Sequence, residues 1–232
     1  MSLKVYRNKR HFDVTPEPQG GAEEQPSAGK SLIFVVQKHQ ASHLHYDFRL
    51  EWDGVLLSWA VPKGPSMDAS VKRLAMPTED HPIEYADFEG VIPENQYGGG
   101  TVMVWDRGTW KPEVEMEDVP EALEKGDLKF TLLGTKLKGS WVLVRTGGRF
   151  AGSAKRLPWL LIKHRDNLAS NGDVVIDEPR SATSGRLLAE IARDGGGDVE
   201  KATAGDPVAR SKAGNRNSGP PRRHSRNRLQ SK

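Results

Sequence analysis

His43, His45, Asp47, Arg49 and Glu51 occupy every second position of one stretch, and Leu44, Tyr46, Phe48, Leu50 and Trp52 fill the positions between them. Period-two alternation marks a β-strand with one face on a core and the other toward solvent. An ordinary solvent face carries Thr, Ser or Lys. This one carries two imidazoles, a carboxylate and a guanidinium, groups that bind metals and phosphate. With His39 just upstream, the strand reads as the wall of an active site.

His39, His45 and Asp47 could hold one metal ion. On a strand the side chains of His45 and Asp47 point the same way, with Cα atoms roughly 6.5 Å apart. Imidazole with carboxylate suits Mn²⁺, Fe²⁺, Co²⁺ or Zn²⁺ and leaves coordination positions open for water or substrate. Arg49 follows on the same face. A guanidinium beside a metal opposes cation binding unless an anion lies between them, and phosphate, gripped by the arginine fork, is such an anion. The plainer alternative is a side-chain pair of Arg49 with Asp47 or Glu51.

A second cluster is Glu79-Asp80-His81-Pro82-Ile83-Glu84-Tyr85. Pro82 stiffens the backbone after His81. His81 could be a further ligand, a proton donor or a phosphate contact, and Tyr85 could offer its hydroxyl to the same anion. Lys63 and Arg73 are isolated cations beside loops. Glycines 98–100 lack the Gly-Lys-Ser/Thr of a phosphate loop and read as a turn.

These residues need a scaffold, and the pattern supplies strands. Strand signals cover residues 32–37, 43–52, 55–61, 101–106, 107–110, 127–133, 139–145 and 159–164, with Asp53-Gly54 as a hairpin turn. Residues 101–106 and 107–110 read as a hairpin-like pair. About eight strands separated by turn residues argue for a β-barrel or a sandwich. Asp118 to Lys125 is the best helix candidate, with Asp118 as N-cap and Gly126 as the stop. A short helix is also expected within 184–194. The domain reading is an N-terminal arm and linker over 1–31, a β domain over 32–194, and a basic, disordered tail over 195–232.

The 232 residues suffice for one domain with a real core. The absence of cysteine excludes disulfides and thiolate metal sites, so a metal must sit on His, Asp or Glu. No apolar run approaches membrane-spanning length and the N-terminus has no signal-peptide core, so a cytoplasmic protein that makes no membrane contact is expected. The net charge of +3 is unevenly spread. Residues 207–232 hold eight basic residues and no acid, so residues 1–206 carry 26 basic and 31 acidic residues, a net of −5. Any nucleic-acid affinity must come from the tail or a local patch.

Taken together, Gln37-Lys38-His39, Leu44 to Glu51, Asp53-Gly54-Val55-Leu56 and Ser58 to Pro65 closely resemble the 3′-phosphoesterase module of bacterial DNA ligase D. Glu79-Asp80-His81-Pro82 with Tyr85, Phe88-Glu89-Gly90, Ile92-Pro93, Tyr97-Gly98, Trp105-Asp106, Gly108-Thr109-Trp110, Leu137-Lys138-Gly139 and Trp159 to Lys163 continue the likeness, which runs over roughly residues 3–168.

The resemblance implies a compact closed β-barrel with a few short outer helices. It implies a Mn²⁺-dependent enzyme, with Co²⁺ or Zn²⁺ as substitutes. Such enzymes remove a 3′-terminal ribonucleoside from a primer strand to leave a 3′-phosphate, then hydrolyse that phosphate to a 3′-hydroxyl during end joining and repair. By matching positions, His39, His45 and Asp47 are the metal ligands. Arg49 and His81 hold the scissile phosphate with Tyr85 in support, and Arg10 and Glu17 belong to an N-terminal arm that closes over the site. Gln37, Glu79, Lys63 and Arg73 are accessory, the last two tied to the phosphatase step. The expected partners are primer–template ends and an end-joining ligase, polymerase or Ku, with the chain a monomer. The arm reads Lys9-Arg10-His11-Phe12 where the family has an acid in place of His11, which bears on ribonucleoside removal. The chain shows neither ligase nor polymerase motifs, so a stand-alone enzyme is expected.

Two rival readings follow from the same residues. His45, Asp47 and His81 could form the two-His-one-carboxylate triad of a metal oxygenase, which leaves His39 and Arg49 without a part. A non-catalytic nucleic-acid adaptor would work through the basic tail instead.

Overall fold

The computed structural model describes residues 2–21, 31–147 and 157–207. Its strands are β1 (Ile33–Gln40), β2 (Leu44–Trp52), β3 (Val55–Val61), β4 (Lys72–Pro77), β5 (Gly90–Ile92), β6 (Gly100–Pro112), β7 (Asp127–Gly134), β8 (Lys138–Arg145) and β9 (Trp159–Lys163). Short helices are α1 (Lys4–Asn8), α2 (Val119–Lys125), α3 (Val174–Asp177), α4 (Leu188–Asp194) and α5 (Val199–Gly205). The strands run β1-β2-β3-β4-β9-β8-β7-β6 with all neighbours antiparallel, and β6 pairs back onto β1. Eight strands therefore close a barrel, and β5 extends it along the first residues of β6. Closure leaves none of the eight with an unpaired edge.

The apolar positions of β2 point inward, as the alternation requires. Phe48 lies 5.9 Å from Phe130, 6.5 Å from Phe34 and 6.5 Å from Trp59, ring centre to ring centre. Trp105, Trp110 and Trp141 are fully buried in the same core. Asp53, at positive φ, and Gly54 make the β2–β3 turn.

Three sequence readings are corrected here. Residues 101–110 are not a hairpin; they belong to the single 13-residue strand β6. Its register against β1 shifts between Val36, opposite Asp106, and Gln37, opposite Val104. Trp105 is the extra residue of a bulge, which bends the strand so that one half pairs with β5 and the other with β7. The outer face of β2 is not wet, because Asp47 and Arg49 are 7% and 2% exposed. A smaller core covers it, in which Tyr6 of the N-terminal arm and Tyr85 and Ala86 of the turn after His81 pack with Val35, Leu56 and Val104 of the barrel wall. Asp118 starts α2 but makes no cap bond, since it already has helical backbone angles, and a cap residue needs extended ones. Gly126 does stop the helix in the left-handed conformation, at φ +79°.

The folded part also continues past residue 194. Ala202 of α5 is fully buried, and Asp206 accepts from the backbone N–H groups of Leu188 and Ala189 at 3.1 and 3.0 Å. Asp206 also faces Lys38 of β1 at 3.6 Å. Lys38 sits on the inward side of β1, almost fully buried, and burial pushes its ammonium below the usual lysine range. The rest of the basic tail, 208–232, lies outside the described residues, as do 22–30 and 148–156.

Removing one partner of a buried ion pair leaves the other charge uncompensated. Asp206→Asn is therefore expected to lower unfolding stability by about 3 kcal/mol, with Lys38→Met in the same chain restoring most of it. Urea midpoints of the two variants check this.

Candidate metal and phosphate site

The site lies on the outer face of the barrel wall formed by β1, β2 and β3. Register sets its layout: His39 stands opposite His45, Gln37 opposite Asp47, and Arg49 opposite Ser58. Nδ1 of His39 and Nε2 of His45 both lie 3.7 Å from Oδ2 of Asp47. Ligand atoms of the three residues all fall within 4.8 Å of one another.

The second nitrogen of each ring fixes its proton. Nε2 of His39 donates to the Gly98 carbonyl at 2.8 Å, and Nδ1 of His45 donates to the His43 carbonyl at 3.0 Å. A carbonyl oxygen only accepts, so the hydrogens sit on those outer nitrogens. The lone pairs of His39 Nδ1 and His45 Nε2 are left facing Asp47. Metal-binding histidines show this arrangement, with the far N–H held by a backbone carbonyl. The residues therefore fit a divalent metal, and His81 is not the third member, as the oxygenase triad required.

Glycines 98–100, expected to be a plain turn, position that carbonyl. Gly98 has φ +76°. A Cβ on Gly100 would lie 2.1 Å from the Gln40 carbonyl oxygen, so only glycine lets this loop lie against β1.

Arg49 is held from every side. Nε donates to Gln37 Oε1 at 2.8 Å, one terminal nitrogen donates to Ser58 Oγ at 2.9 Å, and the other pairs with Asp47 at 3.2 Å. Burial alone would raise the Asp47 carboxyl, but the Arg49 guanidinium beside it reverses this and holds it far below the usual carboxylate range.

His81 contacts both arginines. Its Nδ1 lies 2.8 Å from the Glu79 carbonyl and 2.9 Å from Arg49, and its Nε2 lies 3.4 Å from Arg10. With the hydrogen on Nδ1, the ring donates to Glu79 and its Nε2 accepts from Arg10, while Arg49 donates to Ser58. The other tautomer would let Nδ1 accept from Arg49, but it sets a lone pair against the Glu79 carbonyl and an N–H against Arg10. Burial, then Arg49 and Arg10, push the imidazole well below its ordinary value, so it is neutral.

The arm completes the enclosure. Arg10 donates to Glu17 at 2.8 Å and to Glu79 at 3.3 Å. Glu17 also accepts from the Tyr85 hydroxyl and from Thr15, each at 2.9 Å. Arg10, Glu17, Gln37, Glu79, His81, Tyr85 and Arg49 thus form one connected network. Lys63 and Arg73 make no bond to it among the described residues: Lys63 is exposed beyond β3 and Arg73 lies on β4. His11 is exposed, and what it gives the arm is its carbonyl, which accepts from Val14 and Thr15. Ser58, Thr15, Lys9 and Gly98 escaped the sequence reading, because hydroxyls, a terminal lysine and a backbone oxygen carry no spacing signal.

A profile of the DNA Ligase D 3′-phosphoesterase domain matches residues 37–145. The chain carries a DNA ligase D-type 3′-phosphoesterase module. Over 216 residues, 91% of this chain, it is 50% identical to the multifunctional non-homologous end joining protein LigD of Pseudomonas aeruginosa. It is 48% identical over 146 residues to the LigD non-homologous end joining DNA repair protein of Mycobacterium tuberculosis H37Rv, and 45% identical over 152 residues to that of Mycolicibacterium smegmatis. The chain spans 24%, 18% and 19% of those relatives, respectively. A phosphoesterase domain makes the chain a hydrolase of ester bonds. No helix among the described residues is long and apolar enough to cross a membrane.

The depressed His81 value has a consequence for the stability of the phosphoesterase module. The unfolded chain takes up this proton first, so His81 contributes stability that is present above about pH 6.5 and lost as pH falls below it. From this group alone the folding constant drops by up to roughly tenfold per pH unit. Urea midpoints at pH 7 and pH 5 should show a smaller acid loss for His81→Gln than for wild type.

Proposed function

We propose that the module processes 3′ ends of DNA primer–templates in end joining, removing a 3′-terminal ribonucleoside to leave a 3′-phosphate and then hydrolysing that phosphate to a 3′-hydroxyl. The observation that carries this reading is the sharing of Asp47. A cation site (His39, His45, Asp47) and an anion-binding guanidinium (Arg49, with His81 against it) meet at one carboxylate, the arrangement a metal-assisted phosphoryl hydrolase needs. The family match and the end-joining relatives support the substrate class. The N₂O donor set supports Mn²⁺, with Co²⁺ or Zn²⁺ able to replace it.

A metal held by His39, His45 and Asp47 would neutralise phosphate oxygens and lower the pKa of a bound water. Arg49, locked by Gln37, Ser58 and Asp47, presents its guanidinium to charge developing on those oxygens without reorganising. His81, neutral with its proton on Nδ1, offers Nε2 as a proton acceptor for the attacking water, and Arg49 supplies the donors to the phosphate oxygens. Glu17 orients both Tyr85 and Arg10. In the first reaction the bond from phosphorus to the 5′-oxygen of the terminal nucleoside breaks, and the 2′-hydroxyl marks that nucleoside as RNA. Lys63 and Arg73 keep a part in phosphate removal only by contacts with the DNA itself. End-joining ligases, polymerases and Ku are the partners this reading assigns.

The test is a 5′-labelled primer–template with one 3′-terminal ribonucleotide, incubated with Mn²⁺. Wild type should give a product one nucleoside shorter ending in phosphate, then in hydroxyl, and His45→Ala should give neither. Wild type inert on this substrate and on a 3′-phosphate primer would overturn the reading.

A further inference from the structure

Tyr97 stands apart from every other aromatic ring among the described residues. It is 50% exposed, whereas Tyr6, Tyr46 and Tyr85 are buried and no tryptophan or phenylalanine is comparably open. The loop that carries it is locked rather than loose. Its next residue, Gly98, gives its carbonyl to His39, and a Cβ on Gly99 would meet the Pro93 oxygen at 2.7 Å. The ring is held on its other side by the arm. The Lys9 ammonium bonds the hydroxyl at 2.9 Å, lies 4.3 Å from the ring centre, and pairs with Glu79 at 3.0 Å. The Arg10 guanidinium lies 5.6 Å from the same ring centre and 3.4 Å from His81. One exposed ring is therefore fixed by the two arm cations that also reach Glu79 and His81, in the loop whose next residue holds His39.

We infer that Tyr97 is the platform on which the base of the departing 3′-terminal nucleoside stacks. The inference rests on the function proposed above. Stacking tolerates every base, because each has a π-face, and an end-processing enzyme must accept any terminal base. The loop whose Gly98 carbonyl holds His39, and the arm whose Arg10 reaches His81, place the ring at the edge of the site proposed for the scissile phosphate. Only the ribonucleoside-removal step has a base on the leaving side, so Tyr97 is a specificity residue for that step.

The experiment compares three primer–templates: one ending in an ordinary ribonucleoside, one ending in an abasic ribose, and one ending in a 3′-phosphate. Wild type should favour the base-bearing terminus over the abasic one by roughly 5- to 150-fold in kcat/KM, chiefly through KM. Tyr97→Ala should erase that preference and Tyr97→Phe should keep it, with the melting temperature of both close to wild type. A preference that survives in Tyr97→Ala, or an equal fall on all three substrates, would overturn the inference. Wild type inert on all three would overturn the function beneath it, and this inference with it.

Discussion

Oδ2 of Asp47 lies 3.2 Å from the Arg49 guanidinium and 3.7 Å from a ring nitrogen of both His39 and His45. One buried negative charge thus compensates a buried positive one and offers the anionic ligand for a metal. Coulomb forces at such distances are strong where water is excluded. Without Asp47, Arg49 would be buried with no counter-charge and the two histidines would lack an anionic partner. With it, a second cation joins more readily when a further anion arrives, which is what a phosphate ester brings.

Keeping that junction dry takes a second layer outside the barrel. The barrel core fixes β1, β2 and β3 in register, so Gln37, His39, His45, Asp47, Arg49 and Ser58 emerge on one surface. The arm and the His81–Tyr85 turn cover it, packing with Val35, Leu56 and Val104 of the barrel in a second small core. Tyr6 anchors the arm, its ring packing 5.0 Å from His81 and its hydroxyl donating to the Pro18 carbonyl at 2.6 Å. The arm then supplies Arg10, Thr15 and Glu17. Fold and site are coupled, because the groups that would bind substrate also satisfy one another's buried charges.

The parts legible in the sequence are those written in local patterns. The alternation through β2 gave the strand, its inward face and the grouping of His45, Asp47 and Arg49. Gly126 marked a helix stop. What the sequence hid was set by distant contacts. Nothing within residues 43–52 tells that the polar face is roofed by residues 6–17. The bulge at Trp105 exists only against β1, so a strand with three partners looked like two short ones. β4 and β5, six and three residues long, are too brief and mixed for periodicity to register. The helix at 199–205 was masked by its Ala, Gly and charged composition, and Asp206 shows its worth only beside Lys38. Glycines 98–100 matched no motif because their role is to deliver one carbonyl.

The shared carboxylate is tested most directly by metal binding with and without an anion. Mn²⁺ would be titrated into the protein and followed by loss of the free-ion paramagnetic resonance signal, alone and with an oligonucleotide bearing a 3′-phosphate. The phosphate should tighten Mn²⁺ binding severalfold, since it screens the metal from Arg49, and by reciprocity Mn²⁺ should tighten the oligonucleotide. Asp47→Asn should bind Mn²⁺ poorly and lose the coupling between the two ligands. Equal Mn²⁺ affinity with and without the phosphate, or unchanged affinity in Asp47→Asn, would contradict the account.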